Sequence, residues 1–595
     1  MLKSHSIYTL VFIFEGYYYG GSSMKKLISI LLVLSLMASL VVTSGAASNG
    51  EVSFAVASDL HYNVPEEELS WYSEDPIFGY ANRRAAMENE SGFIIDEFLR
   101  QCAENDDVQF VLISGDLADN GRSIPEEHFA VAEKLKKFEQ TTGKQVYVIP
   151  GNHDFGNLGE YCEVDLARFM EIYKEFGYDE ALTTLDGTGS YTADLNGGYR
   201  LIALDSNDPD RSTEDGMTED RVQWVIDEAK KAKSEGKYPI LMMHHNLLDH
   251  LPVQRVLSHD FIIRNHELTA ERWANAGIKL VFTGHEHCSD ATSKISTLGN
   301  VITDFATTSL TMYPLQYRVF DLSNGVIHYD VETVDSIDTD TLQSVVNGYS
   351  QEQIDAMNQG LNAFAKEFLK NGVEYRLELG FTDEKLGVQP GDIYYDVVRS
   401  VIDELTVALN DPLYGPGGIQ ERAAAEGIEI LDSEYKDGWD LATELVAAHY
   451  AGSENYPLNE RDVKIFLCVV SYIIRGELET LEDETVVYDW VEATLMATSG
   501  SLGGDDMVNA LFPEGGVTPA EYMAVALVSP LLQSFTVDDN VDDNVGTLDG
   551  YGQNNNLENM GIGMLNGFTS IITMLTNFIN YILKALGNFN MTFEV

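Results

Sequence analysis

The sequence predicts an α/β domain followed by a mainly α-helical region. Three observations carry that expectation. Apolar strands alternate with helical patterns over residues 51–333. Five of those strands stop at residues of metal-ligand type. Beyond Asp335 the strand patterns give way to helical periodicity.

In chain order, Phe54-Ala55-Val56-Ala57-Ser58 runs into Asp59-Leu60-His61. Residues 93–99 begin a helix, and Val111-Leu112-Ile113-Ser114-Gly115 after it ends in Asp116. Ser123 and Glu126 have the spacing of a capping box for a helix reaching Gln140. Val146-Tyr147-Val148-Ile149-Pro150-Gly151 then ends in Asn152-His153-Asp154. Asn196-Gly197 reads as a hairpin turn between 191–195 and 200–204, and Asn324-Gly325 as another between 317–322 and 327–331. Between the hairpins, Ile240-Leu241-Met242-Met243 ends in His244-His245, and Val281-Phe282-Thr283-Gly284 in His285-Glu286-His287. On an extended backbone residues i and i+2 project to the same side. Asp59 with His61, and His285 with His287, are therefore each expected to face one common site. Ligands of open α/β sheets gather outside the carboxyl ends of strands, where all five strands deliver their residues.

Residues 335–499 read as a helical accessory domain whose default role is packing against the first. Ser350 and Gln353 form a capping box, and Ile354, Met357, Leu361, Phe364 and Phe368 follow at helical spacing. Further helical patterns cover 394–409, 463–474 and 486–496. Within a mixed segment, 500–556, the stretch 537–556 carries Asp538, Asp539, Asn540, Asp542, Asp543 and Asn544 and reads as a solvated linker. A calcium loop is the sharper alternative, but Asp543 stands where its glycine is required. Residues 563–587 form an amphipathic helix, with one apolar stripe opposite Asn, Thr and Ser. Three uses stay open for it: docking onto its own protein, lying in a membrane interface, and self-association. Only Lys584 in it is basic, so membrane binding would have to be hydrophobic.

At the amino end, Met24-Lys25-Lys26, an apolar run over 27–42 and Thr43-Ser44-Gly45-Ala46-Ala47 read as a secretory signal peptide. Residues 1–47 are accordingly expected to be an upstream leader plus signal peptide, with Met24 as the better start, and the protein to be secreted or held in the cell envelope. A retained anchor is the weaker alternative, because the run is shorter than the roughly 20 residues needed to span a bilayer. Acidic residues number 95 against 37 basic, a formal charge of −58. That charge repels polyanions and argues against duplex nucleic acid or an anionic membrane as an electrostatic partner. Cys102, Cys162, Cys288 and Cys468 show no framework spacing. Cys102 and Cys468 read as core residues; Cys288, directly after the last motif, is a minor candidate for a soft ligand.

The ordered set Asp-x-His, Gly-Asp, Gly-Asn-His-Asp, His-His and Gly-His-x-His resembles the calcineurin-like metallophosphoesterase superfamily. No single motif carries this resemblance, which covers 51–333. It implies a two-sheet sandwich flanked by helices and a site for two transition-metal ions, divalent or trivalent, with manganese, iron or zinc suited to a set without thiolate. By the same resemblance Asp59, His61 and His287 would hold the first metal, Asn152, His244 and His285 the second, and Asp116 would bridge them. A bridging hydroxide would attack phosphorus in line, with His153 protonating the leaving group or bonding the phosphoryl group and Asp154 orienting His153. Two dications with these ligands and a hydroxide leave a local charge of about +1, which favours an anionic phosphoester. His245 reads as supporting the ligands or facing substrate, with plain structural support equally open; His250, His259 and His266 read as surface or packing residues.

Subfamilies separate on single residues. Purple acid phosphatases carry a tyrosine ligand three places after the bridging aspartate, where this chain has Asp119. Protein serine/threonine phosphatases have Asp-Arg-Gly where it has Asp119-Asn120-Gly121. Secreted 5'-nucleotidases bring a nucleotide-binding domain and usually Gly-Asn-His-Glu. The expected activity is hydrolysis of a phosphodiester or small phosphoester. The alternatives are a phosphate-scavenging phosphomonoesterase and a non-catalytic envelope binding or scaffold protein.

Overall fold

The computed structural model describes residues 51–478 and 541–551, except 72–73, 81–84, 160, 209–214, 251–253, 255–259, 324, 384–388, 392–394, 426 and 454–460. The leader and signal peptide, His259, the helical pattern at 486–496 and the amphipathic helix at 563–587 lie outside the described residues. Among the described residues, no helix is long and apolar enough to cross a membrane.

Two mixed sheets lie at the centre. In the first, β1 (Val52–Ala57), β2 (Val108–Ile113) and β3 (Gln145–Val148) run parallel. The other edge of β1 pairs antiparallel with the distant Gln316–Ser323, which forms a hairpin with Val326–Thr333. The second sheet begins with a short strand at Thr183–Thr184 (β4) and continues through β5 (Tyr191–Leu195), β6 (Tyr199–Leu204), β7 (Tyr238–Met243) and β8 (Leu280–Thr283). It closes with β9 (Asp290–Ile295) and β10 (Val301–Ala306), in the order β4-β5-β6-β7-β8-β10-β9. The hairpin strands of the first sheet are β11 and β12, and Gly546–Asp549 adds an edge strand, β13, beside β12.

The strands read as continuous apolar runs because both of their faces are buried. Along β1, Phe54 and Val56 point into the layer between the sheets, whereas Ala55 and Ala57 face helices. Phe54, Phe110 and Phe320 of the first sheet meet Phe282 and Phe305 of the second there, with Phe54 and Phe282 5.7 Å apart and Phe282 and Phe320 4.7 Å apart. Burying one such ring contributes roughly 1.5–3 kcal/mol. On the outer face of the first sheet pack α1 (Ser91–Glu104) and α2 (Pro125–Thr142). The capping box expected at Ser123 does not form. Pro125 sits in the first turn and starts the helix behind Ile124, while the Ser123 hydroxyl donates to Asn120 O. Both hairpins form, with Gly197 and Gly325 in the left-handed region.

The helical region shares this outer core. Ser350 and Gln353 make the expected reciprocal cap, and Ile354, Met357, Leu361, Phe364 and Phe368 pack with Ile94 and Phe98. Two longer helices matter for the site: Leu361–Gly380 (called α3) and Gly438–Tyr450 (α4). The reading of 537–556 as a solvated linker is corrected over 541–551. There β13 pairs with β12, Val541, Asp543 and Tyr551 are buried, and Asp543 accepts a hydrogen bond from Ala291 N. The calcium-loop alternative begins at Asp538 and Asn540, which lie outside the described residues. Arg318, buried on β11, reaches the carbonyls of Asp543, Asp290 and Ala306 and the Ser289 hydroxyl, tying this tail to both sheets.

Candidate metal centre

The strand ends named from the sequence converge. Asp59 and His61 follow β1, Asp116 follows β2, Asn152 and His153 follow β3, His244 and His245 follow β7, and His285 and His287 follow β8. Two groups of ligand atoms result, Asp59 with His61 and His287, and Asp116 with His244 and His285. Asn152 joins the second, its Oδ1 3.0 Å from His244 Nε2. A third group, His61 with Asp119 and His153, adjoins the first.

The extended-backbone expectation is corrected. Asp59, His61, Asp116, His285 and His287 all have positive φ, between 39° and 70°. The strands stop at Ala57, Ile113 and Thr283, and the ligands stand in bends beyond them. His285 and His287 still face one site but go to different groups in it, the split that the resemblance implied. Non-glycine residues in the left-handed region are costly and concentrate at functional sites. Hydrogen bonds hold the bends: Ser58 Oγ donates to Asp59 Oδ2 at 2.5 Å, His285 N to the same oxygen at 2.9 Å, and Ser309 Oγ to Asp59 O.

Each imidazole with a resolved partner presents one nitrogen inward. His244 donates Nδ1–H to Ser114 O, leaving Nε2 3.3 Å from Asp116 Oδ2. His61 faces Asp119 Oδ1 with Nδ1 at 3.2 Å and turns Nε2 toward His287 Nε2 at 3.1 Å. His287 holds its Nδ1 3.1 Å from Met312 Sδ. Such partners fix tautomer and ring orientation in metal sites. Two imidazole nitrogens aimed at each other beside Asp59 Oδ1, a buried oxygen without a hydrogen bond of normal geometry, fit a cation held among them.

The charges agree. Burial pushes the Asp116 carboxyl up, but His244, His153 and His61 outweigh it and hold it well below the usual range. Burial likewise opposes protonation of His244, yet Asp116 raises it to about 9. The carboxylates thus favour positive charge at His244, whereas burial and the neighbouring imidazoles push His285 well down, and burial outweighs Asp59 at His287. His245 is lowered too: burial and His244 push it down to about 3, and its Nδ1 meets Ser206 Oγ at 2.8 Å. It packs 4.7 Å from the His285 ring as a neutral buttress.

Asp154 is a correction. Expected to orient His153, it accepts instead from Ala118 N and Gly151 N and clamps two ligand loops together. His153 bonds through Nδ1 to Asp119 O at 2.8 Å, and its backbone N donates to Asp116 Oδ1. Asp119 was singled out in the sequence only for not being tyrosine. Its place three residues after Asp116 was the available signal. Asn246 and Gln254 gave none: Asn246 Nδ2 donates to Thr283 Oγ1 and Gly284 O, and Gln254 Nε2 to Asn246 Oδ1 and Glu286 Oε2. His250 is buried between Asp290 and Asp304, and His266 lies 3.3 Å from Asp249.

Residues 52–289 match the family model for calcineurin-like phosphoesterases. This part of the chain is a calcineurin-like phosphoesterase domain. Such a domain belongs to hydrolases acting on phosphoester bonds, and this one carries candidate metal-ligand groups. Among solved structures it is similar to a dimetal phosphatase from Danio rerio, at 12% identity and TM-score 0.35, over 47% of this chain and 95% of that one. A predicted phosphoesterase from Streptococcus pneumoniae matches at 12% identity and TM-score 0.21, over 48% and 90%. The phosphopantetheinyl hydrolase from Mycobacterium tuberculosis matches at 12% identity and TM-score 0.24, over 44% and 90%. No curated protein matches the sequence.

Proposed function

We propose that the chain is an exported, dinuclear metal-dependent phosphohydrolase cleaving a phosphodiester or other small phosphoester. The observation that carries this reading is the position of Asp116, whose Oδ2 lies 3.3 Å from His244 Nε2 in one ligand group and 3.8 Å from His61 Nε2 in the other. Asp59, His61 and His287 would hold one ion, Asn152, His244 and His285 the second, with Asp116 shared. Manganese, iron or zinc suit these donors. When bound, such a pair supplies Lewis acidity toward phosphoryl oxygens and lowers the pKa of water from 15.7 towards about 7.

The chain's own residues do the rest. With Nδ1–H given to Asp119 O, His153 keeps Nε2 to exchange a proton with the leaving oxygen. Asp116, ionised throughout the neutral range, also takes the His153 backbone N–H and so fixes the acid relative to the ligands. Export rests on the signal-peptide pattern, and the charge of −58 argues against duplex nucleic acid as substrate. A contact through 563–587, with a membrane interface or a second copy, belongs to the same reading.

The test is hydrolysis of an aryl phosphodiester beside its monoester by protein loaded separately with manganese, iron or zinc, with Asp116→Asn as control. Turnover lost in the control supports the enzyme, and the diester to monoester ratio separates this reading from phosphate scavenging. Equal activity in the control contradicts the site. No turnover with two metals bound per chain favours an envelope binding protein.

A further inference from the structure

The metal-ligand loop carrying His287 is gripped from outside its own domain. Every other imidazole named above with a resolved orienting partner uses an oxygen. His244 has the Ser114 carbonyl, His153 the Asp119 carbonyl, and His61 the Asp119 carboxylate. At His287 the group beside Nδ1 is the thioether of Met312, 3.1 Å away. A thioether is a weak acceptor, so the ring's orientation depends on where packing puts the sulfur.

That packing comes from the helical region. Met312, 1% exposed, lies in one apolar cluster with Leu369 and Val373 of α3 and Ala447 of α4, together with Ala85 and Ala86. The end of α4 also touches the chain two residues after His287. Ser289 N donates to Tyr450 O at 3.1 Å. Gly452, at φ +59°, comes so close that a Cβ on it would stand 2.3 Å from Ser289 O. Asn544 from the tail completes the grip, its Nδ2 donating to Ala451 O and Gly452 O while Ser289 Oγ donates to its Oδ1.

We infer that the helical region is part of the metal centre: through Met312 and the Tyr450-to-Gly452 turn it positions His287 and sets the affinity of the ion held by Asp59, His61 and His287. The second group is oriented from within the sandwich, by Ser114 O and the β2 and β3 loops. The two ions should therefore respond differently to changes in the helices. Met312 and Gly452 are positioning residues: the Met312 sulfur lies beside His287 Nδ1, the nitrogen turned away from the ligand group, and Gly452 has no side chain. This inference rests on the dinuclear reading and adds to it a division of labour between the two parts of the chain.

The test is titration of the metal-free full chain with manganese alone, following heat and metal content per chain, beside thermal unfolding of the same metal-free samples. Two ions bound by the wild type is the expectation of the dinuclear reading; one or none defeats that reading itself. Given two, Met312→Ala should weaken one site about 10- to 100-fold, the usual cost of losing such a contact, and leave the other unchanged. Met312→Leu keeps the volume and removes the sulfur, and should weaken the same site by less. Gly452→Ala pushes Ser289 from the opposite side and should weaken that site too. Unchanged affinities in Met312→Leu and Gly452→Ala overturn the inference, as does equal weakening of both sites, which would mean general loosening. If Met312→Ala does not fold, the other two variants decide.

Discussion

His61 Nδ1 lies 3.2 Å from Asp119 Oδ1, and that contact decides which imidazole nitrogen is left for a metal. Burial alone would depress the His61 pKa, but Asp119 and then Asp116 raise it. The Asp119 carboxylate is therefore an orienting group, while its backbone carbonyl serves His153 independently. Asp119→Ala should lower affinity at the Asp59, His61 and His287 group by about 10- to 100-fold, and Asp119→Asn by less because an amide oxygen still accepts. Manganese titration checks this, and an Asp119→Ala protein that binds both ions as the wild type does would remove Asp119 from the site.

Asp154 calls for a different outcome. Its two oxygens accept from Ala118 N and Gly151 N, both buried, so Asp154→Ala leaves two buried donors unpaired. Each costs about 1–3 kcal/mol. Urea unfolding of the metal-free protein should show a loss of a few kcal/mol, and Asp154→Asn, which retains one acceptor oxygen, about half of it. A variant as stable as the wild type but inactive would instead return Asp154 to the role of orienting His153.

Those two residues show what a sequence can and cannot carry. The strand ends were legible because apolar runs that stop at histidine, aspartate or asparagine leave a period and a boundary in the text. The two hairpins were legible because Asn-Gly suits a left-handed turn. The split of His285 and His287 between two groups was legible only through the family resemblance, because alternation holds only inside a strand and both stand in left-handed bends after β8. Asp154, Asn246 and Gln254 are buried polar groups defined by the backbone and side-chain atoms they reach across the fold, which no local pattern encodes. Residues 541–551 misled for a similar reason. An Asp/Asn-rich stretch looks solvated until β12 offers it an edge and Arg318 takes the Asp543 carbonyl.

His250 gives the fold a pH dependence of definite sign. It is buried between Asp290, 2.5 Å from Nδ1, and Asp304, 3.2 Å from Nε2, with Glu286 nearby. Burial lowers its pKa, but the two aspartates outweigh that and hold it well above 6.5. Because the folded value is raised, the stabilisation is complete below the unfolded value of about 6.5 and fades as pH climbs through the folded one. Urea midpoints of metal-free wild type and His250→Gln should therefore be furthest apart near pH 6 and converge as pH rises through the folded-state value. A gap independent of pH would show that His250 contributes only packing and neutral hydrogen bonds.

His153 is the residue through which chemistry and metal binding can be separated. It belongs to neither ligand pair around Asp116, yet its backbone N–H donates to Asp116 Oδ1 at 2.7 Å and its ring stands 5.0 Å from that of His61. Removing the imidazole leaves the backbone contact in place, so His153→Ala should keep two metals per chain. It also removes the proton donor for the leaving oxygen, and general acid catalysis contributes typically 10²–10⁴-fold. The loss should fall on turnover and depend on the leaving group: large for an alkyl phosphodiester, whose alkoxide needs protonation, and small for a nitrophenyl ester, whose phenolate leaves unaided. Equal losses for both esters would mean that His153 holds the phosphoryl group without protonating the leaving oxygen, and loss of a metal would mean that it is a ligand.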